Sequence, residues 1–221
     1  MSGVIDTLLV LLLLTNLLVL GTSGLPSAIR IVAGQGVLLG CLALAGAAAE
    51  EGAAPLHHWG MGLAGIGLKG LLFPWLMSRA VREVDVRREV EPLVGFVSSV
   101  LFGVAALVVS LWVASRLPVP HELESPLLVP AAFTTLLSGL FVIVSRRKAL
   151  TQVLGYLVLE NGVYAMGVAL IGAEPLIVEL GVLLDLLVAV FVFGITIHHI
   201  NRTFEREDDA DVLATLRETT P

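Results

Sequence analysis

Seven stretches of this chain are apolar for long enough to cross a lipid bilayer, and this leaves few folds open. They cover about residues 3–21, 28–49, 58–78, 92–115, 127–145, 150–173 and 175–200. A tilted spanning helix takes about 20 residues. Hydrocarbon offers the backbone no hydrogen-bonding partner, so each stretch has to pair its own N–H and C=O groups, which makes it a helix. The expectation is an all-α polytopic membrane protein with about seven transmembrane helices. Composition agrees: 57% of the 221 residues are hydrophobic and 14% charged, and the mean hydropathy is +0.94. A soluble domain has about 45–50% apolar and about 25% charged residues. The first stretch has no basic leader segment, carries Asp6 where one would sit, and exceeds the apolar core of a signal peptide, so it reads as a retained span. The single cysteine, Cys41, lies inside the second stretch and reads as a small buried hydrophobe.

Basic residues divide between alternate connections. Arg30, at the edge of the second span, is counted with the connection between the first two, Arg79, Arg82, Arg87 and Arg88 lie between the third and fourth, and Arg146, Arg147 and Lys148 between the fifth and sixth. Arg202, Arg206 and Arg217 follow the seventh. The opposite side offers Arg116 with Glu50, Glu51, Glu122, Glu124 and Glu174. The positive-inside rule then places the N-terminus outside and the C-terminus in the cytoplasm of a cell membrane. Charges of both signs from Arg79 to Glu91 suit a solvated connector, with docking of a soluble partner as the sharper alternative. Pro118, Pro120, Pro126 and Pro130 stiffen the link between two groups of spans. The expected organisation is a four-helix segment (1–126), a three-helix segment (127–201) and an acidic cytoplasmic tail (202–221). For that tail, docking on a neighbour through Val212, Leu213 and Leu216 and plain disorder both stay open.

Ionisable groups inside spans carry the functional argument, because a charged side chain at a helix centre costs roughly 2.5–3.5 kcal/mol. Lys69 sits about 16 Å along its span from His58 at the helical rise, too deep for its stem to reach either surface easily. Pro74 follows, and its ring displaces the carbonyl of Gly70, leaving that oxygen free for a water or a cation. Glu160 lies about 14 Å in from Thr151, near mid-membrane, with Tyr156 and Tyr164 one turn to either side on its face. Asp185 is at similar depth in the seventh span, and Glu179 lies nearer the outer surface as an entry or exit group or a plain interfacial one. A cation and two acids at one level, from three spans, suggest a row of proton-handling groups in the membrane plane. His198 and His199 mark the cytoplasmic end as interface residues or as a proton-exchange point. His57 and His58 have no third ligand nearby, so no metal site is expected. Asn16 and Gln35, the strongly polar groups of the first two spans, read as interhelical hydrogen bonds.

These residues resemble a known family. Lys69-Gly-Leu-Leu-Phe-Pro74, the run Ser145-Arg146-Arg147 through Gln152, Gly155-Tyr156 and Glu160-Asn161-Gly162, and Val178-Glu179-Leu180-Gly181 with Asp185 are similar to component E of hydrogenase-4 and formate hydrogenlyase-type complexes. The last three spans also look like the small K subunit of complex I and the C subunit of multi-subunit cation/proton antiporters. There the pattern is Gly-x-Glu-x-x-x-Asn. Here Gly155 and Asn161 keep the spacing, Leu157 stands at the acid position, and Glu160 comes one turn later. The resemblance implies a subunit without redox chemistry or a cofactor of its own, seated between hydrogenase-connecting and antiporter-like membrane subunits. The NiFe centre and iron–sulfur clusters would reside on partner subunits, and no nucleic-acid partner is expected. Lys69, Glu160, Asp185, Glu179, Tyr156 and Tyr164 would carry proton translocation coupled to electron transfer. The alternatives are a subunit of a cation/proton antiporter complex and a structural spacer whose buried charges only lock helices together.

Overall fold

The computed structural model describes residues 2–49, 56–83, 93–117, 125–169 and 194. They form six helical rods. These are α1 (Ser2–Gly21), α2 (Leu25–Ala49), a third rod composed of α3 (Leu56–Gly65), a π-helical segment (Ile66–Leu72) and α4 (Phe73–Glu83), then α5 (Phe96–Ala114), α6 (Leu128–Ser145) and α7 (Ala149–Ala169). Helices α1, α2, α5 and α6 are long and apolar enough to cross a membrane. Gln152, Glu160 and Asn161 lower the hydropathy of α7, and the π segment interrupts the third rod. The seventh predicted span, 175–200, lies outside the described residues apart from the helical Gly194.

The helix ends follow local chemistry more closely than they follow hydropathy. Pro26 sits in the first turn of α2, where its missing N–H costs nothing, and Ala28 N–H bonds Gly24 O at 3.0 Å, so α2 starts ahead of its apolar run. Helix α5 starts at Phe96 rather than at Pro92. Gly95 is extended, and its carbonyl accepts both the Ser99 N–H (2.9 Å) and the Ser99 hydroxyl (3.0 Å). The Leu93 N–H donates to Ser145 O at 2.8 Å, tying the approach to α5 to the end of α6.

Helices α6 and α7 form the most extensive pair, and α2 lies against α1, α3, the π segment, α4 and α7. The α6–α7 contact is backbone against backbone. A Cβ at Gly139 would strike the main chain of Leu159, one at Gly155 would lie 2.8 Å from Ile143 N, and one at Gly162 would lie 2.5 Å from Leu136 N. A methyl group has no room there, and small residues are what let helices approach in a membrane. Gly139→Ala is therefore expected to cost about 1–3 kcal/mol, as overpacking does. Gly34→Ala, whose methyl would meet nothing within 4 Å, should be neutral. Thermal unfolding in detergent separates them, and equal midpoints would refute this packing.

Around this pair the bundle is layered. One apolar cluster gathers Val19, Leu20, Leu25, Ile29, Val32, Phe73, Met77, Val142, Leu154 and Val158 at one end. A second gathers Ile5, Leu9, Leu12, Leu39, Leu42, Leu128, Ala132 and Ala165 at the other. On α1, α2, α6 and α7 the residues between the two clusters include buried Asn16, Gln35, Thr135, Ser138, Glu160 and Asn161. A polar layer thus lies between two greasy ones. Helix α5 turns small residues inward (Ser99, Gly103, Ala106, Ser110) and large ones outward, with Val97 76% and Leu101 63% exposed, a pattern suited to lipid on its outer side. Arg79 lies over Trp75 (6.0 Å) and Arg116 over Trp112 (5.3 Å) at opposite ends of the bundle, as interfacial anchors do.

Candidate functional site

Lys69 owes its place to the π segment. Phe73 N–H bonds Leu68 O, five residues back, where a regular helix would reach four. The extra residue turns the helix by about 100° relative to α geometry, and π-helical turns of this kind recur at functional sites. Pro74, which has no N–H to donate, follows at once. The helix type thus changes over the seven residues Ile66–Leu72, which include Gly70, ahead of Pro74.

Helix α7 carries Glu160 to meet it. The Lys69 ammonium donates to Glu160 Oε1 in a buried ion pair, Lys69 being 6% and Glu160 0% exposed. The sequence places these two groups at one depth, and the structure puts them in contact. Glu160 Oε2, also buried, accepts no hydrogen bond among the described residues. The carboxylate is thus held asymmetrically, with one oxygen neutralised and the other bare. Lys69 also lies over the Tyr164 ring, 5.6 Å from its centroid, and the Tyr164 hydroxyl approaches Gly65, where an added Cβ would come within 3.0 Å. Tyr156, one turn the other way, packs half-buried against the apolar cluster that holds Leu157 and Val158. Asp185, Glu179, His198, His199 and the acidic tail lie outside the described residues.

Two features of the site escaped the sequence. The first is a buried hydrogen-bonded chain across four helices. Asn161 Nδ2 donates to Gln35 Oε1 (3.3 Å), Gln35 Nε2 to Asn16 Oδ1 (2.9 Å), Asn16 Nδ2 to Thr135 Oγ1 (2.8 Å), and Thr135 Oγ1 to Ala131 O (2.7 Å). The amides were expected to bond between helices; that they form one run ending beside Glu160 depends on how the helices are rotated about their axes. The second is Arg146. As a loop cation it should face water, yet it is 2% exposed, while Arg147 beside it is exposed. Arg146 Nη2 donates to Leu20 O at 3.3 Å, and its guanidinium lies 5.2 Å from the Phe96 ring. Desolvation there pulls its pKa below the ordinary arginine value, and the C-terminal carbonyl ends of α1 and α6 favour the cation. Among the described residues no group of three or more His, Cys, Asp or Glu comes together to hold a metal.

Against this geometry the chain can be compared with known proteins. It is 31% identical over 137 residues to hydrogenase-4 component E of Escherichia coli K12 and of Shigella flexneri. Those matches cover 61% of this chain and 62% of the relative, so the kinship is distant and partial. No family model and no solved structure matches. The uncharacterized protein Rv0085 of Mycobacterium tuberculosis H37Rv is 35% identical over 209 residues, spanning 94% of this chain and 93% of that protein. Similarity at that level, running nearly end to end, places the chain in the family that includes Rv0085.

Proposed function

We propose that this chain is a membrane subunit of a complex I-related, membrane-bound NiFe hydrogenase complex of the hydrogenase-4 type, where it contributes buried charges to proton translocation. The observation that carries the reading is the Lys69–Glu160 pair, buried between apolar layers with one carboxylate oxygen bare. A carboxylate in that setting is poised to exchange a proton when the charge near it changes, because the paired oxygen responds to the cation and the other remains an acceptor. The distant homology to hydrogenase-4 component E supports the choice of complex. In this reading the chain has seven spans, N-terminus outside, with the last three K-subunit-like. Asp185 and Glu179 extend the row in the seventh span, Tyr164 lies beside the lysine, and Tyr156 serves the cytoplasmic side. Electron transfer on partner subunits that carry the NiFe and iron–sulfur centres drives the changes of charge.

One specific observation favours a second reading. Lys69 and Glu160 neutralise each other, as a purely structural lock between the π segment and α7 would require. Purification of the intact complex through a tag on this chain, followed by mass spectrometry and nickel analysis, tests the assignment. A nickel-containing large subunit and antiporter-like membrane subunits are expected. Recovery of antiporter subunits without a nickel protein would overturn it in favour of a cation/proton antiporter.

A further inference from the structure

We propose that α2, through the adjacent residues Gln35 and Gly36, is the positioning element that sets the geometry of the Lys69–Glu160 pair. This deepens the proton-handling reading and rests on it for its meaning, though the geometry stands by itself. Two contacts converge on these neighbours from opposite partners of the ion pair. Gln35 Oε1 accepts the amide of Asn161, the residue after Glu160, and so holds the turn of α7 that presents the carboxylate. Gly36 meets the other side: a Cβ there would lie 2.7 Å from Lys69 O and 2.7 Å from Gly70 N, so the α2 backbone rests directly on the peptide of the lysine.

The rest of the chain makes Gln35 a stiff anchor. Its Nε2 is committed to Asn16, Asn16 to Thr135, and the Thr135 hydroxyl to Ala131 O; were the Gln35 amide flipped by itself, its oxygen would face Asn16 Oδ1 and its nitrogen Asn161 Nδ2. Gln35, Asn161 and Asn16 are all buried, at 0%, 2% and 0% exposure, so these bonds are made away from bulk solvent. With α7 and the π segment both seated on α2, the backbones that carry the two charged groups are held at the spacing at which Lys69 meets Glu160 Oε1, and Oε2 accepts no hydrogen bond among the described residues. Among the described residues Gln35 bonds to Asn16 and Asn161 and to neither charged group, so it is a positioning residue.

The experiment is an infrared pH titration of the purified full-length chain in nanodiscs. The protonated-carboxyl band is assigned to Glu160 by its loss in Glu160→Gln. Gln35→Leu is expected to move the Glu160 midpoint by about one pH unit or more, the scale of changes in charge and hydrogen bonding around a carboxylate. Asn16→Leu loosens the Gln35 anchor but leaves its bond to Asn161, so it should lower thermal stability comparably and move the midpoint by a smaller amount. If Gln35→Leu does not fold, Asn161→Ala removes the same bond from the other end and carries the same expectation. An unmoved midpoint in the Gln35 or Asn161 variant, or an equal movement in Asn16→Leu, would overturn the proposal. The titration needs no pumping: unimpaired proton transport by Glu160→Gln would sink the functional reading while leaving this result intact.

Discussion

Glu160→Gln abolishes proton translocation by the assembled complex while its subunits still purify together: that is the expected result. Glutamine keeps the shape of the side chain and still offers an oxygen to the Lys69 ammonium, so the contact between α7 and the π segment survives. It loses the capacity to take up and release a proton, which in this reading is the carboxylate's role. Helix packing around position 160 rests on Gly155 and Gly162 and on the clusters above and below, none of which the substitution touches. Reconstituted into vesicles with a pH-sensitive dye, the variant should acidify no more than protein-free vesicles during hydrogenase turnover. Dye quenching equal to that of the unmodified complex, at equal turnover, would exclude Glu160 from the proton path.

The second large effect is on stability, and it separates the two readings of the ion pair. Lys69→Met removes the cation and leaves Glu160 buried without a counter-charge. Breaking a buried pair from one side costs about 3–5 kcal/mol. Folded domains hold only about 5–15 kcal/mol in total, so the variant should accumulate poorly and unfold well below the unmodified chain. Adding Glu160→Leu replaces both charges with apolar side chains of similar volume. Such exchanges are often neutral or stabilising by about 1–4 kcal/mol, so the double variant should recover its thermal midpoint. What it does next decides the matter. A proton-handling pair predicts a complex that is stable and silent in the vesicle assay. A structural lock predicts one that is stable and pumps normally. A Lys69→Met chain as stable as the original would mean that the buried pair does not form in the membrane.

Read without coordinates, the chain already yields its long apolar helices, because length and hydropathy are local properties of the sequence. Six of the predicted runs correspond to helical rods among the described residues, with ends moved by Pro26 and Gly95 rather than by apolarity. That Lys69 and Glu160 occupy matching levels of their helices was legible for the same reason: position along a helix is residue count multiplied by rise. Lateral relations were not. Whether two groups at one level face each other depends on how each helix is rotated about its axis, and sequence periodicity is weak where nearly every residue is apolar. Tertiary contacts decided that rotation. The helices cross at Gly36, Gly139, Gly155 and Gly162 with no room for a larger side chain, and the π turn reorients the third rod at Lys69. The same packing drew Arg146, a loop cation by its sequence, onto the Leu20 carbonyl at the end of α1. It also joined Asn16, Gln35, Thr135 and Asn161 into one chain, because buried polar groups must find partners and only the assembled bundle supplies them.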